Sequence, residues 1–122
     1  MSEQVSWRVE VAIRPENIDG FKILINEMVE STQSSEPDTL SYEWSISEDG
    51  TSAHSYETYA HSAAAMIHID AFADNFATRF AALAEQKRLI VFGNPDDNVR
   101  SRLSQAGGIL TIPINGFRRT VR

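Results

Sequence analysis

The chain has 122 residues, enough for one domain, and 42% of them are hydrophobic, which excludes a disordered chain. It contains no cysteine, so disulfide frameworks, thiolate metal sites and a cysteine nucleophile are excluded. The net charge of −6 disfavours nucleic acid as a partner, because that affinity depends on basic residues that neutralise phosphates. No apolar run reaches the ~18 residues of a membrane-spanning helix, and residues 1–8 lack a secretory signal pattern, so we expect a cytoplasmic protein.

The first half of the chain predicts a strand, a helix and a hairpin. Alternation of apolar and polar residues over 6–13 predicts a half-buried strand with Trp7 on its apolar face. Apolar residues at three- and four-residue steps predict an amphipathic helix over 18–31. Residues 40–46 and 53–59 alternate again, and the Asp-Gly pair between them predicts an antiparallel hairpin.

A long Ala-rich segment is predicted to form the second major helix. Ser62 suits the N-cap position, and the helix is expected over 63–86 with a break near Asp70. Its apolar stripe includes Phe72. Residues 89–92 are continuously apolar and predict a central strand after this helix.

The predicted elements follow the order β-α-β-β-α-β, which is that of a ferredoxin-like α+β fold with an antiparallel sheet. We expect a single domain over 1–122, with a core over about 6–93 and a C-terminal extension over about 94–122. The extension adds a short helix over 99–105 and a strand over 109–115. Pro113 restricts that strand to the sheet edge, because proline cannot donate a ladder hydrogen bond.

The two main helices are expected to cover one face of the sheet and to leave the other face open. Trp7, His54 and Tyr56 are predicted on this open face, and they are too apolar or aromatic for a solvated surface. A second copy of the sheet would cover them. The sequence therefore predicts a two-fold homodimer.

Histidines and one glutamate are the candidates for chemistry. His68 lies among apolar neighbours, which suits either a buried histidine bonded to a strand carbonyl or a base that faces an aromatic substrate. Glu57 interrupts a hairpin strand, so it either pairs with Arg8 or Arg14 across strands or orients a histidine. A metal site of His54, His68 and Glu57 is a further alternative, although the spacing lacks a metal-motif character.

Aromatic residues are concentrated in the predicted hairpin. Tyr42, Trp44 and Tyr56 are core residues in the simplest interpretation, but a pocket lined by them would suit a flat phenolic ligand. The sequence has no P-loop, dinucleotide fingerprint, HExxH or Ser-His-Asp order. Motifs therefore favour neither nucleotide-dependent nor metalloprotease chemistry.

Two stretches resemble the antibiotic biosynthesis monooxygenase domain, a family that includes quinol monooxygenases. Residues 56–68 resemble its third strand and second helix, where a strand Glu and an aromatic residue precede Ala-rich turns and a His. Residues 40–44 resemble its second strand, and the resemblance extends over roughly residues 7–92. It implies a dimeric α+β barrel.

The resemblance also implies an activity, the oxidation of a small phenol or quinol by dioxygen. No flavin, metal or other cofactor is implied, because a deprotonated substrate can supply the electrons itself. His68 would be the proton acceptor or anion stabiliser, Glu57 would orient a partner group, and four residues would line the substrate pocket: Tyr42, Trp44, Tyr56 and Phe72. The alternatives are a non-catalytic dimeric module that binds a small hydrophobic ligand, and a metal-dependent enzyme.

Overall fold

The computed structural model describes residues 3–121. Its strands are β1 (Val5–Ala12), β2 (Thr39–Ile46), β3 (Ser52–Tyr59), β4 (Glu85–Gly93) and β5 (Ile109–Leu110). Its helices are α1 (Ile18–Ser35), α2 (Ser62–Asn75), α3 (Ala77–Leu83) and α4 (Asp97–Gln105), and a 3-10 turn over Pro15–Asn17 precedes α1. None of the helices in this range is both long and apolar enough to cross a membrane.

The strands form one sheet in the order β2-β3-β1-β4-β5. The first four strands pair antiparallel, as the hairpin and the β-α-β-β-α-β order predict. β5 pairs parallel to β4, because the α4 crossover returns the chain in the same direction. The ferredoxin-like α+β prediction is confirmed, with a mixed sheet in place of a fully antiparallel one.

The helices cover one face of the sheet, here called the inner face. Alternate residues of β3 from Ala53 to Tyr59 are buried on it. One apolar cluster packs around Trp7 and Tyr59, and a second packs around Phe21 and Leu24. These two clusters hold the helices on the sheet.

The opposite face, here called the outer face, carries His54 and Tyr56 as predicted, but the placement of Trp7 there is wrong. Trp7 is only 4% exposed and stacks on Tyr59 on the inner face, with ring centroids 4.5 Å apart. Tyr56 is 55% exposed, and the guanidinium carbon of Arg8 lies 4.4 Å from its ring centroid. The alternation of β1 is as predicted, but it does not indicate which face the helices cover.

The second major helix is broken at Phe76, not near Asp70. Phe76 has φ −130° and ψ −20°, which separates α2 from α3. The N-cap of α2 is His61 in place of Ser62, because Nδ1 of His61 accepts the Ala64 N–H at 3.1 Å. The helical segment ends earlier than predicted, and β4 begins at Glu85.

Two other predicted boundaries are wrong. The predicted strand over 109–115 ends at Leu110, although the Thr111 N–H still donates to the Val91 carbonyl at 3.1 Å, and residues 112–121 belong to no helix or strand. Pro113 lacks the N–H that a longer ladder would need. In contrast, α1 runs to Ser35, four residues past its predicted end, and carries Glu36 into the interior.

Candidate functional site

A cavity of about 130 Å³ lies between the inner face of the sheet and the helices. Apolar and aromatic side chains form most of its wall, and Glu57 and His68 contribute ionisable groups. An engineered apolar cavity of about 150 Å³ holds benzene, so this volume suits a single aromatic ring. Among the predicted site residues the wall contains Tyr42, Trp44, Glu57, His68 and Phe72.

His68 is the centre of the polar wall. Its Nδ1 lies 2.9 Å from Oε1 of Glu36, and its Nε2 lies 3.5 Å from Oε1 of Glu57. All three side chains are buried. The prediction of a strand carbonyl as the partner of His68 is therefore wrong, because two carboxyl groups occupy that role. The ring of Tyr42 meets the imidazole edge-on, with centroids 4.8 Å apart.

Glu36 was not predicted as a site residue. It follows the last residue of α1, and the Thr39 hydroxyl donates to its Oε1 at 3.1 Å. The buried residues Leu24, Met28 and Thr32 precede it at four-residue steps on one helix face. Extending that stripe by one step would have found Glu36. Its place before a proline, in a polar segment, indicated a loop instead.

Glu57 accepts hydrogen bonds on both of its carboxyl oxygens. The Ser55 hydroxyl donates to Oε2 at 2.5 Å, and the Tyr59 hydroxyl donates to Oε1 at 2.7 Å. Ser55 Oγ itself accepts the Val9 N–H at 3.1 Å, which directs the hydroxyl proton towards Glu57. Burial raises the pKa of Glu57, and the neighbouring imidazole of His68 and these hydrogen bonds oppose that rise only in part.

The predicted pairing of Glu57 with Arg8 or Arg14 is wrong. Arg8 lies on the outer face over Tyr56, whereas the ionisable partner of Glu57 is His68 on the inner face. Tyr56 does not line the cavity, because its position in β3 alternates with that of Glu57.

The three-ligand metal alternative also fails on geometry. His54 lies on the face opposite Glu57 and His68, because it alternates with the buried residues of β3. Within residues 3–121 no group of three His, Asp or Glu side chains is placed to hold a metal ion.

Tyr42 and Trp44 on β2 place polar atoms near this site. Burial, followed by the charge of Glu57, raises the pKa of Tyr42, so its phenol stays protonated. Trp44 Nε1 is buried and has no hydrogen-bond partner in the described range. Both rings belong to one aromatic group in which Trp44 also contacts Phe21 and Phe80, with centroids 5.9 Å from each.

No protein-family model and no curated protein matches the chain, but solved structures do. MupZ from Pseudomonas fluorescens matches 98% of this chain and 91% of its own at 24% identity, with a TM-score of 0.86. A variant of SnoaB, a cofactor-independent oxygenase from Streptomyces nogalater, matches 78% and 96% at 12% identity, with a TM-score of 0.64. A protein named antibiotic biosynthesis monooxygenase matches 75% and 99% at 22% identity, with a TM-score of 0.64.

The chain has the fold of the antibiotic biosynthesis monooxygenases. The predicted resemblance is confirmed for the fold. These identities are too low to transfer an activity or a substrate, so the chemistry depends on the site itself.

Proposed function

We propose that this chain is a cofactor-independent monooxygenase that oxidises a single-ring phenol or quinol with dioxygen. One observation carries the proposal: His68, hydrogen-bonded to Glu36, lies beside Glu57 in the wall of an aromatic cavity of single-ring size. The fold shared with a protein described as a cofactor-independent oxygenase supports the reaction class.

His68 acts as the base. When Nδ1 of His68 carries the hydrogen and donates to the Glu36 carboxylate, Nε2 is the nitrogen of the imidazole that can accept a proton. The Glu36 charge then stabilises the imidazolium that forms when the substrate hydroxyl loses its proton. Glu36 does not line the cavity, so it is a positioning residue that acts through His68.

Glu57 acts in its neutral form. Its raised pKa favours the protonated carboxyl, which donates a hydrogen bond to the phenolate oxygen. An ionised Glu57 would repel the same oxygen. The neutral phenol of Tyr42 lines the same cavity and supplies a second donor.

The deprotonated substrate transfers an electron to dioxygen, and the resulting phenoxyl radical and superoxide combine at a carbon of the substrate ring. The peroxide that forms loses water, so one oxygen atom stays on the ring and the other leaves in water. The substrate supplies all four electrons, and a phenol becomes a quinone. The mostly apolar wall of the cavity holds the ring of the substrate.

A second candidate function is a proton-transfer reaction that uses no dioxygen, such as an isomerisation. The observation that favours it is the close pair of a base and a neutral carboxyl, with His68 Nε2 3.5 Å from Glu57 Oε1. Binding of a small hydrophobic ligand without chemistry is the remaining alternative.

Dioxygen uptake by the purified, metal-free protein tests the proposal. The panel contains single-ring hydroquinones, two-ring naphthols and three-ring anthrones. His68→Gln is the test variant, and His54→Gln on the outer face is the matched control. We expect uptake with single-ring compounds in the parent chain and in His54→Gln, and its loss in His68→Gln. Proton exchange of the substrate without dioxygen uptake would support the second candidate function. Tight binding without proton exchange or dioxygen uptake would support a non-catalytic binding module.

A further inference from the structure

Gln86 is a polar residue of the cavity wall that the proposed reaction does not use. It lies near the start of β4 and is exposed, whereas Leu89, the other wall residue of this strand, is buried. Leu103 of α4 belongs to the same wall, and the end of α4 lies close to Gln86. The side chain of Gln86 therefore lies at the mouth of the cavity, between β4 and the end of α4.

A β-bulge turns Gln86 towards the cavity, because the register between β1 and β4 shifts after Glu10. Val11 consequently lies opposite Gln86, and Lys87 is left out of the pairing. Directly paired residues share one face of a sheet, and Val11 is buried on the inner face. Regular alternation from Leu89 would instead have placed Lys87 on the inner face and Gln86 on the outer face.

The side-chain amide of Gln86 is held in one orientation. Its Nε2 donates to the Ala106 carbonyl at 2.8 Å, which distinguishes the nitrogen of the amide from its oxygen. Ala106 follows the last residue of α4, and the turn after it uses Gly107, whose φ is +84°. The bond to Ala106 uses one of the two N–H donors of Gln86. It leaves the second N–H and the carbonyl oxygen for a ligand.

A donor beside an acceptor selects a particular kind of ligand group. A primary carboxamide presents one N–H and one carbonyl oxygen on the same side, so it can bond both atoms of the Gln86 side chain. A ketone or an ester would leave the Gln86 oxygen without a donor. A carboxylate would place negative charge beside that oxygen. The chemistry therefore favours a neutral carboxamide.

The distance between the two polar ends of the cavity requires a linker. Glu57 on β3 pairs with Trp7 of β1, and Gln86 pairs with Val11, four residues further along β1. Two strand spacings and four residue steps separate the Cα atoms of Glu57 and Gln86 by roughly 16 Å. A phenol whose hydroxyl lies at His68 would therefore reach Gln86 only through a substituent opposite that hydroxyl.

We propose that Gln86 is a specificity-determining residue at the mouth of the cavity, and that it binds a primary carboxamide at the end of a short linker on the phenol ring. The ring occupies the cavity, and the linker crosses the mouth beside Leu103. This inference rests on the proposed binding of a phenol at His68 but not on its oxidation, because Gln86 takes part in recognition alone.

Three phenols of the same shape test the assignment by calorimetry in the absence of dioxygen. Opposite the hydroxyl they carry a propanamide, a propanoate or a 3-methylbutyl substituent. We expect the preference for the amide over the 3-methylbutyl compound to be about 5–10-fold larger in the parent chain than in Gln86→Leu. Gln105→Leu removes an exposed amide from α4 and should keep the parental preference. An equal loss of affinity for all three ligands in Gln86→Leu would limit Gln86 to supporting α4 and overturn the proposal.

A variant with altered charge provides the second test. Gln86→Arg keeps a donor for the Ala106 carbonyl and adds a positive charge at the mouth, so the propanoate should become the preferred ligand by about tenfold. An unchanged order of affinities in this variant would overturn the proposal. Selective binding of the amide without dioxygen uptake would support the role of Gln86 and contradict the oxidation alone. Failure of the parent chain to bind any of the three phenols would overturn both.

Discussion

The two ends of the inner face are built from different chemistry although they share the same strand. At the polar end, Ser55, Glu57 and Tyr59 occupy successive buried positions of β3. At the apolar end, Ala53 occupies the equivalent position and packs in a cluster with Phe21 and Phe80. Buried positions normally hold apolar residues, because an unpaired buried polar group is costly. At the polar end Glu57 departs from that rule in the wall of the cavity, which is where function is expected to override packing.

The largest effect on stability is expected at the apolar end. Phe80→Ala removes a ring that contacts Phe21, Phe72 and Trp44, and we expect a loss of about 3–5 kcal/mol in the free energy of unfolding. Urea unfolding measures it, with Ile67→Ala on the exposed side of α2 as the control. The variant should also admit a two-ring ligand that the parent cavity excludes. An unchanged free energy of unfolding would contradict the packing role assigned to Phe80.

The next largest effect is expected on turnover at the polar end. Glu36→Gln keeps a hydrogen-bond acceptor for His68 but removes the charge that stabilises the imidazolium. We expect kcat to fall by about 10–100-fold while KM and the folded structure are preserved. Glu27→Gln, an exposed glutamate on the same helix, should leave kcat unchanged. Equal kcat in both variants would remove Glu36 from the site.

Glu57→Gln is expected to change the dependence of stability on pH. The pKa of Glu57 is raised in the folded chain, so the unfolded chain ionises first as pH rises above about 4.5. The parent then loses up to ~1.4 kcal/mol of stability per pH unit from this group until the folded carboxyl also ionises. Relative to the parent, the variant should gain stability through this window. Urea unfolding of both proteins from pH 4 upward measures the difference, and parallel curves would contradict the raised pKa.

At neutral pH the smallest effect is expected from the two buried phenols, which influence stability only in alkaline solution. Burial raises the pKa of both Tyr42 and Tyr59, so the unfolded chain releases these protons above about pH 10 while the folded chain retains them. Each tyrosine then lowers stability by up to ~1.4 kcal/mol per pH unit in that range. Tyr42→Phe should remove half of this slope in alkaline unfolding. An unchanged slope would mean that the phenol of Tyr42 is not buried.

The order of elements could be predicted because alternation and helical spacing are local patterns. The cavity-lining positions of Tyr42, Trp44 and Phe72 follow from the same patterns once the helices are placed on the sheet. The face of Trp7 could not be predicted, because a single alternating strand does not record which side the helices cover.

Contacts between residues far apart in the sequence explain most of the remaining differences between the predicted and the observed structure. Residues 85–88 are polar and exposed, yet they extend β4, because β1 pairs with them across the sheet. Glu36 and His68 are 32 residues apart, and only the tertiary fold brings them to hydrogen-bond distance. Composition suggested a loop at Glu36, and the helix that buries it is longer than local signals indicated.

The most direct test of the site is the protonation state of a bound phenol. A single-ring nitrophenol, whose phenolate absorbs visible light, is titrated with the parent chain, with His68→Gln and with His54→Gln, in the absence of dioxygen. We predict that the parent and His54→Gln bind it as the phenolate at a pH where the free compound is mostly protonated, and that His68→Gln binds it as the neutral phenol. Equal phenolate signals in all three proteins would contradict the assignment of His68 as the base.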